Sequence, residues 1–168
     1  MSTTPSARAA RTASAAGGPA VGRAAVPAGR VLPAGALVPP SALDLLARSD
    51  AELVAARLAG PSERFVHAHL AALRAGAALL AATGRPSGRP ALRTVWEMVA
   101  AVAPELEGWT AWFADGAALR AAVESGRGRV DEDRAERTLA VAEDFQDAVR
   151  GVLAVDGAGQ GTLALRAS

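Results

Sequence analysis

The chain contains no cysteine, no lysine and no tyrosine, and only two histidines, three phenylalanines and three tryptophans in 168 residues. Without cysteine there is no thiol nucleophile, no thiolate zinc site and no disulfide, a composition that suits a reducing cytoplasm. Without lysine there is no phosphate-loop lysine, no Schiff base and no Ser-x-x-Lys dyad. No run of 18 apolar residues occurs, so no stretch reads as a membrane span. Acids are absent as far as Leu43, which gives the N-terminus the charge of a transit peptide. Pro27, Pro33, Pro39 and Pro40 interrupt its apolar part, so it does not read as a secretory signal.

What is abundant points one way. Alanine, the best intrinsic helix former, fills about a quarter of the positions, while β-branched and aromatic residues are sparse. The expected fold class is therefore all-α. All 18 basic residues are arginine, and the joint excess of Ala, Arg and Gly reads as codon bias in a GC-rich genome. Residues 1–40 are rich in Pro and Gly, carry four arginines and lack helical periodicity, and read as a disordered tail. Residues 156–168 read as a second flexible tail. The segment between them, 41–155, holds 13 arginines and 16 acids, a net charge of −3, so the basic isoelectric point belongs to the tails.

Helix signals follow one another through this segment. Ser41 reads as the cap of a short helix to Ala47, and "SDAE" at 49–52 as a capping box opening a second, ended by Gly60-Pro61. Pro61 suits the first turn of a helix running to about Thr83, before "GRPSGRP". Helices are then predicted over about 92–103, 105–125 and 132–153, separated by Pro104 and by "GRGR" at 126–129. Asp131 or Asp133 is the expected cap of the last. Trp96, Trp109, Trp112 and Phe113 read as core. Together these elements describe an antiparallel four- to five-helix bundle.

Both histidines lie in "PSERFVHAHLAALRAGAALL", residues 61–80. At 100° per residue, His69 falls inside the apolar arc of Phe65, Leu73 and Leu80, and His67 falls outside it with Glu63 and Arg74. The two rings point about 160° apart, so they cannot chelate one metal ion from a helix. Glu63 and His67, four residues apart, read as a solvated pair, and Ser62 as a helix-start residue explained by capping. Arg64 and His69 form an Arg-x4-His spacing, with which a histidine could act as acid or base beside a guanidinium on phosphate charge.

"ERFVHAHLAALRAGAALLAA", "RPALRTVWEMVAAVAPELEGWTAWFADGA" and "DRAERTLAVAEDFQDAV" resemble, over about residues 41–153, a small HEPN-like family of GC-rich bacteria. The resemblance implies a compact helical bundle that often dimerises. Some members are ribonuclease toxins, and others bind nucleotides or partner proteins. In the ribonucleases the Arg and His typically open the last long helix. Here that position reads "VDEDRAERTLAVAEDF", with Arg134 and Arg137 and no histidine.

A second candidate is an arginine patch. Arg85, Arg89 and Arg93 lie in the loop after the Pro61–Thr83 helix, and Arg127 and Arg129 in the loop after the 105–125 helix. In an up-and-down bundle the two loops share an end, where guanidinium groups could pair with phosphate. The reading that follows is a cytoplasmic HEPN-like module without catalysis, metal or cofactor. Its expected partners are a second copy of itself, another protein, or RNA or a nucleotide. The alternative is a metal-independent ribonuclease using Arg64 and His69.

Overall fold

The computed structural model describes residues 37–84 and 94–153, and among them every regular element is helical. The expected tails therefore fall outside the described residues, apart from positions 37–40, and so does 85–93. The elements are α1 (Pro40–Leu58), α2 (Pro61–Thr83), α3 (Val95–Val102), a single 3-10 turn at Pro104–Leu106, α4 (Glu107–Glu124) and α5 (Glu132–Val152).

The helix ends follow local chemistry. Pro40 and Pro61 occupy first turns, where a missing N–H costs nothing. Gly84 ends α2 at φ +84°, and Gly126 follows α4 at φ +71°, both left-handed positions that glycine adopts without a Cβ penalty. Thr94 and Glu97 form a reciprocal capping box on α3, at 3.2 and 2.7 Å. Asp131 caps α5 by accepting from the Arg134 amide at 2.8 Å.

One expectation about these ends is corrected. The chain does not break near Ser49, and α1 runs unbroken from Pro40 to Leu58. Ser49 is buried and spans three helices. Its hydroxyl donates to the Ala71 carbonyl of α2 at 2.8 Å and accepts from Gln146 Nε2 of α5 at 2.9 Å. Glu52, the expected capping-box partner, reaches α2 instead. A Ser-x-x-Glu pattern opens a helix only where the backbone N–H groups are orphaned, and inside a continuous helix they are not.

The centre of the bundle is α2, which packs against each of the other four helices. It has the length and hydropathy of a membrane span, but Ala68, Ala71, Ala72, Ala75 and Ala78 are fully covered by neighbouring helices. These small residues let α1 and α5 approach closely. A Cβ on Gly76 would lie 3.2 Å from both Val95 and Val99. α1 runs antiparallel to α2, with Ser49 opposite Ala71 and the Ala56 carbonyl opposite Arg64. α4 also runs antiparallel, with Gly116 against His69 and with Leu119 and Val123 beside Phe65. α5 runs parallel to α2, with Glu132 at Arg64 and Phe145 near Gly76.

The core is aromatic at its middle. Trp96 stacks on Phe113 at 5.2 Å, and Phe113 lies 5.9 Å from Phe145, while Trp109 and Trp112 pack half-buried around them. Phe65, Val130 and Ala135 make a smaller cluster at the end where α2 and α5 begin.

Candidate functional site

Arg64 and His69 stand on one helix but serve different neighbourhoods. Arg64, whose side chain is 17% exposed, is fully engaged at the α1–α2 corner. It donates to the Ala56 carbonyl at 3.3 Å and the Ala59 carbonyl at 3.1 Å, and pairs with Glu132, with Glu136 at 3.9 Å. Those two carbonyls belong to the C-terminus of α1, where a cation meets the negative end of the helix dipole. The guanidinium therefore clamps α1, α2 and α5 together.

His69 is 2% exposed and sits between two phenylalanines. Phe65 lies 4.5 Å away and Phe113 packs edge-on at 5.1 Å. Its Nδ1–H donates to the Phe65 carbonyl at 3.2 Å, which leaves Nε2 as an acceptor with no donor among the described residues. Nε2 faces the backbone of Gly116, where a Cβ would fall 2.5 Å from it. Burial holds the imidazole pKa down, from 6.5 to about 4. The Phe65 carbonyl opposes that shift, Arg120 and Arg134 add to it, and the Phe113 carbonyl opposes it in turn. The ring is neutral at physiological pH and sealed from solvent. The Arg-x4-His spacing thus brings no shared open cleft into being on this face.

The arginine patch fares differently in its two halves. Arg85, Arg89 and Arg93 lie outside the described residues. Arg127 and Arg129 are exposed in the loop after α4. That loop closes on the start of α2, where the Val130 amide donates to Ser62 Oγ at 3.2 Å. The end of α2, at Thr83, lies 21 residues further on, roughly 30 Å at 1.5 Å per residue. The loop that carries Arg127 and Arg129 therefore lies at the opposite end of α2 from Thr83. The physical reason is α3, which at eight residues does not cross the bundle, so α4 takes the descending path assigned to α3. Ser62 is corrected by the same bond, since it receives the loop's amide and makes no cap bond to α2.

His67 has a different partner from the one its helix offers. It does not pair with Glu63. Its Nδ1 lies 2.5 Å from Glu52 Oε2 across the α1–α2 interface, and Arg74 holds the other oxygen of Glu52 at 2.5 Å. The carboxylate is only 12% exposed, and its two oxygens are occupied by different partners. His67 also lines a cleft of about 530 Å³, together with Ser62 and Glu63 of α2, Glu124 of α4 and Arg129 of the following loop. Helical angles placed His67 with Arg74 on one face, which was the available signal. The carboxylate between them, 15 residues before His67, had no signal in a reading that ended a helix at Ala47. No three His, Asp or Glu side chains gather as a metal site among the described residues.

Comparison with known proteins gives one finding. A family model described as SAV_6107-like HEPN matches residues 55–150, more than half of the chain. No curated protein and no solved structure matches the sequence.

Proposed function

The chain belongs to the SAV_6107-like HEPN family, and from that premise we propose that it is a non-catalytic module that binds a protein partner, a second copy of itself in the first instance. The observation that carries the non-catalytic part is the separation of Arg64 from His69. A ribonuclease would need the imidazole at a 2′-hydroxyl and the guanidinium on the phosphate in one pocket. Here the imidazole is 2% exposed with its pKa held down to about 4, and the guanidinium is spent on α1 carbonyls and on Glu132.

Support for a protein partner comes from the outer face of α1. Leu43, Ala47, Val54 and Leu58 recur at helical spacing along it, all exposed, with Leu58 reaching 85%. The pattern reads nearly the same in either direction: Leu43 and Leu58 are equidistant from the midpoint at 50/51, as are Ala47 and Val54. Two copies crossing antiparallel about that midpoint would set each leucine against a leucine and each alanine against a valine, the self-complementarity of a two-fold interface. A nucleotide or RNA is the weaker choice, because the 41–155 segment carries −3.

Two measurements test the reading. Purified protein and a His69→Gln variant are incubated with structured RNA at neutral pH. Equal background in both supports the module, and cleavage lost in the variant while its circular dichroism is retained would sink it. Sedimentation of the full chain beside Leu58→Glu should show a dimer reduced to monomer, and a wild-type monomer at all concentrations rejects self-association.

A further inference from the structure

The cleft beside His67 uses neither Arg64 nor His69, and it brings both signs of charge to one concave surface. We propose that it binds a small zwitterion, a free amino acid or short peptide presenting an ammonium group and a carboxylate. Glu63 and Glu124 supply negative charge on the α2 and α4 walls, and Arg129 supplies positive charge from the loop.

His67 stands at the edge of this arrangement, fixed by its carboxylate partner. A carboxylate can only accept, so the 2.5 Å contact with Glu52 makes Nδ1 the donor and fixes the ring against α1. Because Arg74 engages the other oxygen of Glu52, the carboxylate is held and the ring orientation with it. An ammonium group then has two carboxylates to meet, Glu63 and Glu124, the second of which also lies 3.7 Å from Arg120.

The carboxylate of the ligand falls to Arg129, whose fork of donors matches it two to two. Ser62 Oγ is held in place by the Val130 amide and keeps its own proton to donate. The loop is built close. A Cβ on Gly128 would lie 3.1 Å from the Ala122 Cβ and from the Val123 amide nitrogen, so bulk there would push Arg129 away from α2. Val66 and Val123 also line the cleft and offer methyl groups to the carbon skeleton. The volume lies in the range of roughly 300–1,000 Å³ usual for small-ligand sites. A phosphate dianion is disfavoured, since two carboxylates share the cleft with one guanidinium.

The full-length 15N-labelled chain is titrated with glycylglycine, with glycylglycine amide, which lacks the carboxylate, and with inorganic phosphate. Saturating amide shifts confined to residues 62–67 and 123–130 are expected with glycylglycine, and at least tenfold weaker binding with the amide. Arg129→Ala and Glu124→Gln, both at exposed positions, should each weaken glycylglycine by a similar factor. Failure of glycylglycine to saturate at millimolar concentrations overturns the proposal. So does equal binding of the amide, undiminished binding by Arg129→Ala, or saturation by phosphate alone. None of these outcomes bears on RNA cleavage, so this site and the reading of Arg64 and His69 stand or fall separately.

Discussion

Replacing Gly116 with alanine sets two effects against each other. Gly116 lies inside α4, where alanine is favoured over glycine by about 1 kcal/mol. The new methyl group, however, would sit 2.5 Å from His69 Nε2 and 2.9 Å from Cε1, about 1 Å inside ordinary contact. The ring cannot swing away, because Phe65 and Phe113 flank it and its Nδ1 is bonded to the Phe65 carbonyl. Overpacking of this kind costs roughly 1–3 kcal/mol, so the clash outweighs the propensity gain and the variant should lose about 1 kcal/mol net. Gly151→Ala, in α5 with nothing within 4 Å, is the control and should gain a few tenths of a kcal/mol. Urea denaturation followed by tryptophan fluorescence measures both. The decisive comparison adds His69→Ala: in that background Gly116→Ala should turn neutral or stabilising, a coupling of about 2 kcal/mol. A Gly116→Ala variant as stable as Gly151→Ala, or an effect unchanged by removing the ring, would refute the placement of His69 against α4.

The remaining predictions concern buried polar groups. His69 has its pKa lowered from 6.5 to about 4, so the unfolded chain binds the proton more readily than the folded one. Its contribution is complete above pH 6.5 and is lost as pH falls toward 4, reaching about 3 kcal/mol there at 1.4 kcal/mol per tenfold change. A His69→Leu variant should show a shallower loss of urea stability between pH 6.5 and 4, and an identical slope in both proteins refutes the assignment. Ser49→Ala removes one of the two acceptors of Gln146 Nε2, leaving Asp50, and a donor to Ala71, and should cost about 1–3 kcal/mol. If Ser49 were instead a helix cap at the surface, Ser49→Asp would be tolerated. Here it should destabilise more than alanine, because a charge would be buried among three helices.

Legibility in the sequence tracked the range of the interaction. The α2 limits followed from Gly60-Pro61 and the loop after Thr83, and α5 from Asp131 and a run of apolar residues at i+3 and i+4. The burial of His69, and the place of His67 outside the apolar arc, followed from helical angles alone. Ser49 was misread because its neighbours in sequence offer a capping box, while its partners, Ala71 and Gln146, stand 22 and 97 residues away. Ser62 and Glu52 failed in the same manner. Each has a plausible local partner and a stronger distant one.

Periodicity, capping and composition, all set by a few neighbouring residues, determined that this chain forms helices, where most of them end, and which faces are apolar. They also carried the family resemblance that the match over residues 55–150 agrees with. Only tertiary structure decided how the helices are ordered in space. The shortness of α3 sends α4 down beside α2 and carries Arg127 and Arg129 to its start. The same packing commits Arg64 to the end of α1, seals His69 against Gly116 and turns His67 onto the part-buried carboxylate of Glu52. Chemistry at a side chain depends on what lies across an interface, and a one-dimensional spacing such as Arg-x4-His does not record it.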